Sequence, residues 1–164
     1  MTRESAPFVT VGVQMHHSDP AFIPTPATRG SSGFDLRMWN PQLSKFCVGA
    51  GRTALVPTGV RIALPRGYEA QIRMRSGLAL QGKFFIPNSP STIDSDYRGE
   101  VFVMVRAFEN VAFEVGDRIA QMVLCPVLTP HGLFFRSDVQ IVKSADELAP
   151  AERGEAGFGS TGIK

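Results

Sequence analysis

The sequence predicts an all-β subunit, a sandwich or jelly roll carrying one or two short helical pieces. Three observations carry that expectation. There are 16 glycines and 12 prolines, about a sixth of the 164 residues, and both types interrupt helices and mark turns. Short alternating or apolar runs bounded by turn residues recur along the whole chain. Only two stretches have helical features. With 43% hydrophobic residues, a chain of this length can bury a sizeable core in one domain.

In order, Phe8 to Met15 alternates and reads as a strand, which Ser18-Asp19-Pro20 and the Pro24/Pro26 pair then break. Ala54 to Pro57 and Val60 to Leu64 are two short strands, with Pro57-Thr58-Gly59 between them as a hairpin-like signal. Tyr68, Ala70, Ile72 and Met74 alternate with Glu69, Gln71, Arg73 and Arg75, the pattern of a half-buried strand with two arginines on its polar side. Ser76 to Gln81 has room for one or two helical turns. Val101 to Phe108 is nearly continuous apolar, as in a strand covered on both faces. Arg118 to Val127 and Gly132 to Val142 add two more strands. Ser144, with Glu147 three residues on, forms a capping box for a short helix that Pro150 ends. Residues 1–26 thus read as an N-terminal segment, 27–152 as a β core and 153–164 as a glycine-rich tail of a single domain.

The formal net charge is +2, from 17 basic and 15 acidic side chains. Nothing in that balance suggests bulk attraction to a nucleic-acid backbone or an anionic membrane. Thirteen of the basic residues are arginine, whose guanidinium forks onto phosphate and carboxylate oxygens. Cys47 and Cys125 lie far apart, which excludes a disulfide framework and a cysteine zinc site. His16, His17 and His131 offer no histidine-based metal site or triad. No Walker GxxxxGK[ST] segment, secretory leader or bilayer-length apolar run is present. The expectation is a soluble, cytoplasmic protein with no stable nucleic-acid or membrane partner.

Five segments depart from what a bare β scaffold needs. In Ala27 to Leu36, ATRGSSGFDL, Gly33 precedes Phe34 and Asp35; a bulge beside a buried aspartate would read the same way. In Arg73 to Ala79 an arginine strand runs into serine, glycine and a helix start, which suits either a capped turn or a phosphate site. In Asn88 to Glu100, Asp94 and Asp96 share a face in extended chain while Tyr97 points the other way. Two carboxylates beside an aromatic suit a general base or a magnesium-linked site next to a stacked ring, or simply an acidic turn. In Gly116 to Met122, Arg118 stands at a strand entrance and Gln121 three residues on, and a structural Asp–Arg pair would read the same way. Finally, Arg153 to Gly162 holds four glycines with Arg153, Phe158, Ser160 and Thr161, the charge, ring and hydroxyls of a phosphate-and-base clamp.

Taken together, ATRGSSGFDL, RSGLA, IDSDYRGE, GDRIAQM and RGEAGFGSTG resemble, in order and spacing, the five motifs of the trimeric deoxyuridine triphosphatase (dUTPase) family. The resemblance covers Ala27 to Gly162. It departs at Met74, where proline commonly precedes the motif's arginine, and at Ser91, where glycine is frequent. Neither change removes a functional side chain.

The resemblance implies hydrolysis of dUTP to dUMP and pyrophosphate with Mg2+, in a homotrimer of jelly-roll subunits with shared sites. By motif, Asp94 would activate the attacking water, Tyr97 would pack on deoxyribose and exclude a 2′-hydroxyl, and Asn88 would read the uracil edge. Arg75, Ser76 and Gly77 would meet the phosphates, with Gln121 holding that region and Arg118 structural. Asp35 would act indirectly, through waters of Mg2+ or by orienting the site. In the tail, Arg153 would pair with the γ-phosphate, Phe158 would stack on uracil, and Gly159, Ser160 and Thr161 would contact phosphate. Two rivals remain in view. A dCTP deaminase or a bifunctional deaminase–triphosphatase of the same superfamily would use a glutamate base and a different serine–arginine pattern. A nucleotide-sensing or protein-binding module that kept the fold and lost turnover should have lost Asp94 or the tail.

Overall fold

The computed structural model describes residues 11–15 and 18–127, together with the backbone of residues 140–141. The strands are β1 (Gly12–Met15), β2 (Gly33–Arg37), β3 (Lys45–Val48), β4 (Thr53–Val56), β5 (Val60–Ala63) and β6 (Tyr68–Arg73). After the helix α1 (Ser76–Gln81) come β7 (Phe84–Phe85), β8 (Ser91–Ile93), β9 (Val103–Ala107), β10 (Val111–Glu114), β11 (Arg118–Pro126) and β12 (Gln140–Ile141). They form sheets ordered β12-β1-β5, β10-β3, β2-β11-β6-β8 and β4-β9-β7. All pairs are antiparallel except β1 with β12. This mostly β architecture with one short helix is the all-β fold expected, and it is consistent with a jelly roll.

The sheets enclose one apolar core. Leu36, Met38, Val56, Ile62, Ile72, Val103, Val105 and Ile119 are almost completely buried in it. Period-2 patterning puts them there. In β6, Ala70 and Ile72 face inward while Gln71 and Arg73 face out. The β9 strand differs from its expectation. Val103, Val105 and Ala107 are buried but Arg106 is exposed, so one face of that apolar run packs in the core, not both.

The hairpin expected at Pro57-Thr58-Gly59 is a corner between sheets instead. β4 pairs with β9, whereas β5 pairs with β1. Gly59 has φ +67, and the Thr58 and Gly59 amides both donate to Glu100 Oε1, at 3.0 and 2.8 Å. A buried Thr58 hydroxyl donates to the Val101 carbonyl at 2.5 Å. These long-range bonds turn the chain from one sheet to the next, and a local hairpin would have no use for them. The α1 helix spans the range that the sequence predicts and ends at Gly82, in a left-handed conformation with φ 67. Most of the predicted strand Gly132 to Val142 and the Ser144 helix lie outside the described residues.

Candidate active site

The site is assembled on β11, the inner strand between β2 and β6. Register sets three side chains in one row: Gln121 is opposite Asp35 on one side and Arg73 on the other. Their outward faces, with the loop before β2 and the turn into α1, line a cleft of about 540 Å3. That volume is in the range of small-ligand sites. Asp35, Arg73, Arg75, Ser76, Gly77 and Gln121 all border it, so the first, second and fourth sequence segments meet at one place.

Asp35 is the hub. Its Oδ1 lies 2.9 Å from Arg75 Nε and its Oδ2 lies 3.2 Å from Arg118 Nη1. Arg75 Nη1 also donates to the Arg118 carbonyl at 3.4 Å. These bonds set the plane of the Arg75 guanidinium and leave its Nη2 without a partner among the described residues, a donor available to an anion. Arg118, which the sequence marks only as structural, shares the same carboxylate. Arg75 stands in extended conformation before α1, and no side chain caps that helix. Its carbonyl accepts from the Leu78 and Ala79 amides at 3.0 Å each.

Gly77 is required neither by its backbone conformation nor by packing. A Cβ there would meet nothing within 4 Å. The bare backbone leaves space on the cleft side, where a ligand can approach closely. Gln121 donates from Nε2 to the Met74 carbonyl at 2.9 Å and so grips the strand end just before Arg75. Sequence spacing gives no sign of this bond, because the two residues are 47 positions apart.

The third segment lies elsewhere. Ile93 pairs with Ala70, so Asp94 leaves the sheet near the start of β6. From Ala70 to Arg73 alone is about 10 Å of strand. Asn88, Asp94 and Tyr97 do not border the cleft. Asn88 Nδ2 donates to Ser91 Oγ at 2.9 Å. Tyr97 is 9% exposed, with its hydroxyl donating to the Glu100 carbonyl at 2.9 Å. Its ring lies over Gly99, where a Cβ would come within 2.5 Å of the ring's Cζ. Arg98 Nη1 donates to the Ser95 and Tyr97 carbonyls at 2.8 Å each. Burial lowers the Arg98 pKa, and the nearby Asp96 charge opposes that shift. Asp96 therefore has an electrostatic partner within its own turn. Arg153, Phe158, Gly159, Ser160 and Thr161 lie outside the described residues.

Among the described residues no three carboxylate, imidazole or thiol side chains converge to hold a metal ion. Both Asp35 oxygens are engaged by guanidiniums, so this donor set does not fit a directly held divalent cation. Nor is any helix among the described residues long and apolar enough to cross a membrane.

The dUTPase family model matches residues 19–162. The chain belongs to the dUTPase family. A deoxyuridine 5'-triphosphate nucleotidohydrolase of Roseobacter denitrificans is 43% identical over 158 residues, covering 94% of this chain and 97% of the relative. The protein of the same name from Brucella melitensis is 39% identical over 165 residues, with 99% of each covered. Among solved structures, the Streptococcus mutans dUTPase superposes with a TM-score of 0.65 at 27% identity, over 74% of this chain and 99% of that one. A dUTPase from phage phi11 of S. aureus, which coordinates a structural Mg(II) ion, reaches 0.64 at 18% identity and shares the fold. It covers 76% of this chain and 95% of its own.

Proposed function

We propose that this chain hydrolyses dUTP to dUMP and pyrophosphate by attack of a water on the α-phosphorus. The observation that carries the reading is the Asp35-anchored Arg75 beside the open backbone of Gly77. It is a small cationic cradle in a family whose curated relatives are named for cleaving this nucleotide. Arg75, Ser76 and Gly77 hold phosphate oxygens, and Gln121 keeps their turn in place through the Met74 carbonyl. Fixed donors of this kind stabilise charge that grows on phosphate during displacement. Asp94 accepts the proton of the attacking water and aims it. The buried Tyr97 ring packs on deoxyribose and fills the place of a 2′-hydroxyl, while Asn88 offers uracil an amide donor and acceptor.

Asp94 and the cradle sit at opposite ends of β6. Their separation supports a homotrimer in which the third segment of one copy completes the cradle of another. The tail closes over the bound nucleotide: Arg153 on the γ-phosphate, Phe158 on the base, and Gly159, Ser160 and Thr161 on phosphate. Mg2+ bound by the triphosphate's own oxygens and water would neutralise phosphate charge without a protein cage. Asp35 then serves by fixing the two arginines. Such an activity limits uracil incorporation into DNA and supplies dUMP for dTMP synthesis.

The test is pyrophosphate release from dUTP, with dCTP as the control and ammonia release measured alongside. Wild type should release pyrophosphate from dUTP only. Asp94→Asn should lose at least about a hundredfold in turnover while still binding nucleotide, the size of a typical general-base effect. Unchanged turnover would remove Asp94 from the mechanism, and ammonia from dCTP would favour the deaminase.

A further inference from the structure

Gly33 opens β2 with an ordinary backbone: its φ is outside the left-handed region, so nothing in its conformation demands glycine. A glycine within a strand normally weakens it, since it packs nothing and loses more entropy on folding. Its neighbourhood explains the residue. A Cβ on Gly33 would overlap Gln121 Oε1 and stand 3.2 Å from Gln121 Cδ. All three atoms that crowd the position belong to the Gln121 side chain. That amide cannot simply swing away, because its Nε2 donates to the Met74 carbonyl at 2.9 Å. Turning it over would set Oε1 against that carbonyl, oxygen against oxygen. Met74 itself packs against the core, so the carbonyl is a fixed point one residue before Arg75.

We propose that Gly33 is a positioning residue: its missing side chain makes room for the Gln121 amide to hold the Met74 carbonyl and thereby place the Arg75–Gly77 turn. Gly33 needs no contact with substrate for this. The proposal rests on the reading of that turn as the phosphate cradle.

A double-mutant cycle tests it. Gly33→Ala, Gln121→Ala and the double variant are assayed for kcat and KM with dUTP, and each is melted. Gly33→Ala in the wild-type background should lower kcat/KM about tenfold or more. In the Gln121→Ala background, where the amide is gone, the same change should cost less than about twofold. The melting temperature should then hold or rise, as expected for Gly→Ala at a compatible backbone. An equal cost in both backgrounds, or wild-type kinetics for Gly33→Ala, would overturn the proposal. If Gly33→Ala fails to fold but the double variant folds, the coupling is upheld; if both fail, glycine is needed for another reason and the proposal falls. Should wild type release no pyrophosphate from dUTP, the proposed activity fails, yet the coupling is still read from the four melting temperatures.

Discussion

Replacing Asp35 with asparagine keeps its shape and removes the charge that two guanidiniums share. Asp35 is 19% exposed, Arg75 27% and Arg118 46%. A hydrogen bond to a charged group contributes about 1.5–3 kcal/mol when sheltered, and an exposed ion pair about 0–1. The contact at Arg75 belongs between those limits and the one at Arg118 near the lower. Asparagine keeps one acceptor but removes the charge that holds both guanidiniums; the repulsion between Arg75 and Arg118 is the same in both proteins and drops out of the difference. The sum is a loss of about 1–2 kcal/mol. For a chain of this size it lowers Tm by about 3–6 °C. If the same energy holds Arg75 against phosphate in the transition state, kcat/KM falls about 5- to 30-fold. Differential scanning calorimetry and pyrophosphate release measure the two effects. A Mg2+ titration gives the decisive control, because the half-activating concentration should not move. The reasoning is refuted if Tm and kcat/KM stay at wild type. It is equally refuted if Asp35→Asn needs much more Mg2+ at an unchanged Tm, which would make Asp35 a carboxylate for the cation and not for the arginines.

Two further outcomes follow from the geometry. If separate copies supply the two halves of the site, mixing inactive Arg75→Ala with inactive Asp94→Asn subunits after denaturation and refolding should recover a substantial fraction of wild-type activity. Mixtures as dead as their parents would place both residues in one subunit's site. Gly99→Ala should push the Tyr97 ring from its seat, since the new methyl would stand within 2.5 Å of Cζ. The ratio of kcat/KM for dUTP over UTP should fall about tenfold or more, and an unchanged ratio in a folded variant would remove Tyr97 from sugar selection.

Local periodicity made parts of this fold legible. Alternation in β6 and the SGLALQ run of α1 depend on neighbours a few positions apart, and both occur where the sequence places them. The Pro57-Thr58-Gly59 corner was not legible as such. Its turn residues suit a hairpin equally well, and Glu100, more than forty positions away, makes the difference. The β3 and β10 strands were missed for a related reason. Each is four residues long with exposed alternate positions, and their mutual pairing gives neither one a strong pattern alone.

The same division runs through the site. Residue type and order alone determined the family and that the fold is β, because strand patterning and motif order are properties of the chain itself. Only the tertiary structure decided how they are grouped. β11 lies between β2 and β6, so Asp35, Gln121 and Arg73 share a row although they are distant in sequence. Asp35 was compatible with a role near a metal or with an orienting role, and its two arginine contacts favour the second. Asp94, read beside the others, follows Ile93, which pairs with Ala70 toward the opposite end of β6 from Arg73, and neither Asp94 nor Tyr97 borders the cleft. A sequence orders residues along one dimension. Strand pairing, which follows from burying one face of each strand, sets which of them can meet the same ligand.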